Sequence, residues 1–185
     1  DYFIRYTKNM VGPAEQLPNT LGVDVPKKNN CDLKTKGWEV SLSWKDRLNN
    51  GLNYGISVSL SDQVTYIDSY PGNKTGTLPY YSLTENKYKT GYITGHKINE
   101  IWGYETIGIA KTQEEMDAHL AKVDQSSVGT NWGVGDIMYA DLDGDGKISN
   151  GTNKLGDTGD YRIIGNSTPR FKYGITLDAA WKGFD

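Results

Sequence analysis

Strict alternation of apolar and polar positions is the dominant pattern along this chain. Between 35 and 45, Trp38, Val40, Leu42 and Trp44 fall on one face, and Glu39, Ser41, Ser43 and Lys45 on the other. Between 52 and 61, Leu52, Tyr54, Ile56, Val58 and Leu60 alternate with Asn53, Gly55, Ser57, Ser59 and Ser61. A period of two is the signature of a half-covered strand. The intervening Asp46-Arg47-Leu48-Asn49-Asn50-Gly51 has hairpin-turn chemistry. A third run sets Phe171, Tyr173, Ile175, Leu177, Ala179 and Trp181 against Lys172, Gly174, Thr176, Asp178, Ala180 and Lys182. A fourth opens the chain, where Tyr2, Ile4 and Tyr6 alternate with Thr7, Arg5 and an interrupting Phe3. The expected fold class is mainly β, with antiparallel strands.

Alternation fits two solvents. A soluble β-sandwich would turn the apolar faces inward. A transmembrane β-barrel would turn them toward lipid, and three features favour it. The runs are about ten residues long, the length of a tilted membrane strand. Phe171 and Trp181 bracket the third run; about 33 Å of strand tilted by about 40° matches the ~25 Å apolar band between aromatic girdles. The polar faces of the hairpin are mostly Ser, Gly and Asn, as suits a wet lumen.

Loop lengths agree. Residues 46–51 make a short turn, whereas 12–33 and 68–168 are long excursions. Outer-membrane barrels keep short turns on the periplasmic side and long loops outside. With strand 1–11 ascending, 34–45 descends, 52–67 ascends and 169–182 descends, and every connection obeys that rule. The expected organisation is barrel strands over 1–67, an extracellular loop subdomain over 68–168, and a last barrel strand over 169–185.

The large excursion is too long to lack structure. Thr112-Gln113-Glu114-Glu115 reads as a capping box, with Met116, Leu120 and Val123 on one helical face, predicting a short helix over 113–124. His119 beside that stripe reads as a solvated residue. Asp141-Leu142-Asp143-Gly144-Asp145-Gly146-Lys147-Ile148 matches the first half of an EF-hand calcium loop. Asp141, Asp143 and Asp145 offer hard oxygen donors, Gly146 permits the sharp bend, and the Lys147 carbonyl supplies a further ligand. The twelfth position is Thr152 rather than a bidentate Glu, so Asp157 or Asp160 would have to complete the site. Ca²⁺ is the expected cofactor; the alternative is a solvated, metal-free acidic turn.

Composition narrows the function classes. Of 185 residues, 22 are Gly, 13 Tyr and 5 Trp, a balance suited to strands and glycine turns. The net charge of −3 leaves no bulk electrostatic case for nucleic acid. No apolar run approaches the roughly 18 residues of a membrane helix, and Asp1-Tyr2-Phe3-Ile4-Arg5 does not read as a signal peptide. A single cysteine, Cys31, excludes an internal disulfide and a Cys-only zinc site, and His96 and His119 are the only histidines. No Gly-x-Ser-x-Gly elbow, Ser–His or Cys–His arrangement or phosphate-binding glycine pattern supports catalysis, so no enzyme is expected.

Several blocks carry a family resemblance. They are Asp1-Tyr2-Phe3-Ile4-Arg5-Tyr6-Thr7-Lys8-Asn9-Met10, the segment 22–26 with Asn29-Asn30, and Asp32-Leu33-Lys34-Thr35-Lys36-Gly37-Trp38-Glu39. Ile101-Trp102-Gly103-Tyr104, the stretch 135–146 and Ile164-Gly165-Asn166-Ser167-Thr168-Pro169-Arg170-Phe171 follow in order. Together they resemble the late barrel region of SusC/RagA-type TonB-dependent outer-membrane transporters, nearly end to end. Cys31 departs from the small or polar residue expected between Asn30 and Asp32.

The resemblance implies a barrel of roughly 22 strands with an N-terminal plug. It also implies a SusD-like surface lipoprotein as partner, energy from TonB through the missing N-terminal part, contact with outer-membrane lipid, and glycan or peptide cargo taken up by Bacteroidetes. No segment here reads as the plug, so the chain is expected to be one part of such a transporter, in the outer membrane with 68–168 outside. The main alternative is a secreted β-rich carbohydrate-binding module. In either case Tyr80, Tyr81, Trp102 and Trp132 are the candidate sugar contacts. A siderophore or cobalamin receptor of similar architecture is a further rival, disfavoured by the acidic Gly-Asp-Gly loop.

Overall fold

The computed structural model describes residues 1–13, 26–82, 86–89 and 91–184, with only the backbone described at 13, 81, 82, 87 and 88. Its frame is a four-stranded antiparallel sheet in the order β1-β2-β3-β10. The strands are β1 (Tyr2–Pro13), β2 (Lys27–Arg47), β3 (Asn53–Ser69) and β10 (Phe171–Ala180). The sheet stays open, and among the described residues the outer edges of β1 and β10 have no strand beside them.

Register explains how one face became continuous. On β2, Trp38, Val40, Leu42 and Trp44 stand opposite Asp62, Leu60, Val58 and Ile56 of β3. Those β3 residues stand in turn opposite Phe171, Tyr173, Ile175 and Leu177 of β10, and Tyr2 of β1 pairs with Trp38. Three matched alternations therefore add their apolar positions into a single surface. Much of it is open among the described residues: Leu42 is 69% exposed, Leu177 73% and Tyr173 80%. The opposite face carries Ser41 beside Ser59 and Ser43 beside Ser57, whose hydroxyls lie 2.9 Å apart. Arg170 closes the upper end of the apolar band, its Nε donating to Asp62 Oδ1 at 2.7 Å in a two-pronged ion pair.

Strand limits differ from the sequence expectation. β2 has 21 residues and β3 has 17, well beyond the alternating runs. β2 starts at Lys27 rather than 34, because Lys27, Lys28 and Asn29 pair with Pro13, Gly12 and Val11 of β1. The connection expected over 12–33 is shortened accordingly, and 14–25 lies outside the described residues. At the hairpin, the Leu48 N–H donates to the Leu52 carbonyl at 2.8 Å and Gly51 takes a φ of +87°. Leu52 therefore belongs to the turn, while Tyr54 onward follows the expected face.

The upper inner face is covered by the excursion. Cys31, Thr35 and Ile67 are buried there. Residues 95–98 extend the sheet along the upper edge of β3: the Ile67 N–H donates to the His96 carbonyl at 2.9 Å, and the Ile98 N–H to the Thr65 carbonyl at 3.0 Å. The excursion itself holds three small antiparallel pairs. β4 (Tyr80–Ser82) pairs with β5 (Lys87–Lys89), and β6 (Glu100–Tyr104) with β9 (Tyr161–Asn166). β7 (Thr106–Ile109) pairs with β8 (Ile137–Tyr139). Two cores hold these pairs together, one of Leu78, Ile93, Trp102 and Tyr161, the other of Ala110, Met116 and Met138 with Leu120 and Trp132 against it.

Helix α1 runs Gln113–Leu120 and stops four residues short of the expected end. Thr112 Oγ1 accepts from the Glu115 N–H at 3.2 Å, and Glu115 Oε2 reaches past the cap to the Lys111 N–H at 2.8 Å. The helix ends because the chain must turn at once: Asp124 forms a parallel bridge with Lys147. Val123 falls in that turn. His119, expected in solvent, is buried, with Nε2 3.1 Å from Gln125 Oε1. Gln125 is itself fully buried and donates to the Ile137 carbonyl at 3.1 Å, tying α1 to β8.

Candidate functional site

The acidic loop between β8 and β9 is organised by its own backbone. Asp141 Oδ1 accepts from the Gly144 N–H at 2.7 Å and its Oδ2 from the Gly146 N–H at 2.9 Å. Asp143 Oδ1 accepts from Asp145 N–H at 3.2 Å, and Asp145 Oδ1 from Lys147 N–H at 2.7 Å. Gly146 makes the bend with a φ of +80°, a region costly for residues with a Cβ. Ile148 is buried at 1% exposure, and its N–H donates to the Asp124 carbonyl at 2.8 Å. The Asp124 carboxyl is held below the usual carboxylate range by the backbone N–H and hydroxyl of Ser126.

Asp160 does not join the acidic cluster. It is fully buried, with Oδ1 accepting from Leu142 N–H at 2.6 Å and Asp143 N–H at 3.3 Å, and Oδ2 from Ser149 N–H at 2.9 Å. One carboxylate thus clamps both flanks of the loop. Gly159 beside it has a φ of +50°, and a Cβ there would meet the Ser149 carbonyl oxygen at 2.5 Å. Asp157 is engaged by the Thr152 N–H at 3.2 Å. Neither residue proposed from the sequence to complete the site is turned toward it. Among the described residues, the one group able to offer three metal-ligating oxygens is Asp141, Asp143 and Asp145, with atoms within 4.8 Å of one another. The donor set fits a hard cation: three carboxylates, with the Lys147 carbonyl next along the loop. Water would have to supply the rest of the six to eight oxygens calcium takes.

The aromatic candidates do not converge. Trp102 is 7% exposed inside a core, its ring 6.0 Å from that of His96 and 6.4 Å from that of Tyr161. As placed, it has no open face for a sugar. Trp132 is half-buried, donates from Nε1 to the Gly129 carbonyl at 3.0 Å, and meets Tyr139 edge-on at 6.2 Å. Tyr80 is 37% exposed, and the side chain of Tyr81 lies outside the described residues. Sequence reasoning named Asp160 as a possible metal ligand and missed its role as a backbone clamp, and it missed Gln125 altogether; no motif marks either role, because both act on backbone brought from eleven or more residues away.

No protein-family profile matches the chain. TonB-dependent receptor P3 of Formosa agariphila is 28% identical over the whole chain, and TonB-dependent receptor P26 of the same organism 25% identical. The chain spans 17% of the length of either relative. Among solved structures, the RagAB peptide importer in its closed-closed state aligns over 98% of the chain, with a TM-score of 0.53 and 19% identity. A second structure, of the RagAB peptide transporter, gives 0.51 and 18%. Each alignment covers 17% of the solved chain. The SusC/RagA-type resemblance read from the sequence is borne out, as is the mainly antiparallel β class. These similar proteins are receptors and importers rather than enzymes.

Asp160→Ala would strip three backbone N–H groups of a charged acceptor at a fully buried position. Unsatisfied buried donors cost about 1–3 kcal/mol each, so a local loss of about 3 kcal/mol is expected. In hydrogen exchange, that corresponds to roughly a hundredfold faster opening of the 142–149 amides. Asp160→Asn, which keeps one oxygen, should fall between. Unchanged exchange in Asp160→Ala would remove the clamp from the account.

Proposed function

We propose that this chain is the late barrel region of a TonB-dependent outer-membrane transporter that imports glycan oligomers or peptides. The observation that carries the reading is the exposed apolar face shared by β2, β3 and β10, joined by Tyr2 of β1 and bounded above by the Asp62–Arg170 pair, and backed on β2 and β3 by a face rich in serine. A sheet dressed this way needs a medium that is apolar on one side and wet on the other, which a membrane barrel provides. The open edges of β1 and β10 are the places where neighbouring barrel strands join. The long side of the sheet carries the excursion, so 68–168 lies outside the cell and contributes to the surface that meets cargo and a SusD-like lipoprotein. TonB acts through a part of the protein not contained in this chain. A secreted carbohydrate-binding module would require the exposed apolar face to be tolerated by water, and an open stacking face on Tyr80, Tyr81, Trp102 or Trp132, of which Trp102 is buried. Both observations weigh against it.

Within this reading the acidic loop holds calcium in a structural role. The three carboxylates lie close enough to repel one another when empty, and a divalent cation relieves that repulsion. Few protein ligands converge, which suits weak binding, with a Kd of about 10⁻⁴–10⁻³ M.

Two measurements test these readings. In the full-length transporter, Val58→Asp should cut the fraction that reaches the folded, heat-modifiable form several-fold, since Val58 sits mid-band facing lipid. Ser57→Asp, on the lumen side, should be much milder. Equal tolerance of both would contradict the orientation. For the loop, millimolar calcium should raise thermal stability, and Asp143→Asn with Asp145→Asn should abolish the rise. Absence of any rise in the unaltered protein would mean a metal-free turn.

A further inference from the structure

The outward face of the sheet is uncharged from the Trp44 row to the Val40 row, carries the Asp62–Arg170 pair in the Trp38 row, and turns basic on β2 in the rows above it. Trp38, Val40, Leu42 and Trp44 of β2, with Leu60, Val58 and Ile56 of β3, carry no charge. The next outward positions on β2 are Lys36 and then Lys34. Lys36 stands between Ile4 of β1 and Val64 of β3, and Lys34 between Tyr6 and Tyr66. Lys34 Nζ lies 5.2 Å from the centroid of the Tyr6 ring, and Lys36 Nζ 6.0 Å from that of Tyr66. Each ammonium is thus steered by a phenol ring from the adjoining strand, which limits the conformations its stem must lose on binding.

Depth gives these cations a specific neighbour. One row is two residues, about 6.6 Å of strand, or about 5 Å along the membrane normal at a tilt of about 40°. Lys36 therefore stands about 5 Å above the Trp38 row and Lys34 about 10 Å above it. The polar headgroup layer on each side of the hydrocarbon is roughly 5–7 Å thick, and lysine stems of this length reach through it. Of the carboxylates nearby, Asp62 is closed in its pair with Arg170, and Asp68 is the one acidic neighbour acting on Lys34. Directly opposite Lys36 on either strand there is no acid. At the other end of the band the outward position after Trp44 is Asp46, so the lysine pair marks the excursion side.

We propose that Lys34 and Lys36, with the phenols of Tyr6 and Tyr66, form a docking surface for the phosphate of an anionic lipid headgroup in the outer leaflet. The occupant is lipid rather than free phosphate, because the surface is continuous with the lipid-facing band and would hold the headgroup while the acyl chains lie along Val40, Leu42 and Tyr173. The inference rests on the membrane-barrel reading. It adds a site on the outer wall, apart from cargo and lumen.

The test uses the full-length transporter in nanodiscs of phosphatidylglycerol and phosphatidylcholine, with bound lipid counted by native mass spectrometry after detergent transfer. Heat-modifiability is scored first: an unaltered protein that fails to insert sinks the barrel reading and the proposal with it. In inserted protein, Lys34→Gln with Lys36→Gln should lower retained phosphatidylglycerol at least threefold relative to phosphatidylcholine. Lys34→Arg with Lys36→Arg should restore it, and 10 mM inorganic phosphate should not displace it. Lys36→Gln alone, a milder change, should show a partial loss and serves if the double variant does not insert. Equal retention in the glutamine variants, or displacement by inorganic phosphate, would overturn the proposal while leaving the barrel reading intact.

Discussion

The arrangement of the described residues turns on an apolar surface of the sheet that they leave largely exposed. Burying a side chain the size of Val, Leu, Ile or Phe is worth about 1.5–3 kcal/mol. Seven side chains of at least that size on the face shared by β1, β2, β3 and β10, Tyr2, Leu42, Trp44, Phe171, Tyr173, Ile175 and Leu177, keep more than half of their surface open. Even half that sum rivals the ~5–15 kcal/mol that stabilises an ordinary domain. The missing neighbour must therefore be apolar and extensive. In the proposed barrel, lipid would satisfy that demand along the band, whereas on the upper inner face Cys31, Thr35 and Ile67 are already buried.

The same constraint separates the two halves of the long strands. Below Asp62 and Arg170, β2 and β3 have an uncovered apolar side and a hydroxyl-lined side. Above the pair, residues 95–98 pair along the upper edge of β3, and Cys31, Thr35 and Ile67 of the inner face are buried. The excursion is thus built onto the sheet by backbone pairing rather than tethered beside it. Inside it, Asp160, Asp124 and Gln125 each recruit backbone groups from distant segments, and this fixes where the acidic loop stands relative to α1 and β8.

What could be read in the sequence followed from periodicity. The alternations at 38–44, 54–60 and 171–181 specify both strand and face, because a one-residue slip would reverse every side chain. The upper part of β2 has no such signal: Lys27-Lys28-Asn29-Asn30-Cys31 becomes strand only because β1 lies beside it. α1 began where its cap predicted, yet ended early because the bridge from Asp124 to Lys147 overrides local helix preference. His119 looked like surface because nothing in the neighbouring sequence announces that Gln125 closes over it. The three aspartates of the acidic loop were legible from spacing. The clamp that holds them, Asp160, was not, since its partners at 142, 143 and 149 meet it only after folding. Trp102 illustrates the converse: an aromatic residue is equally suited to packing and to stacking, and burial alone distinguishes the two.

The central claim is that the even-numbered positions of β3 face lipid while the odd-numbered ones face a wet lumen. Spin labels placed one at a time from 56 to 61 in the full-length transporter, with Cys31 first replaced by Ser, measure this directly through collisions with oxygen and with a polar nickel chelate. The account predicts oxygen maxima at 56, 58 and 60, and nickel maxima at 57, 59 and 61, out of phase with each other. Accessibilities without a period of two, or with the two probes in phase, would contradict it.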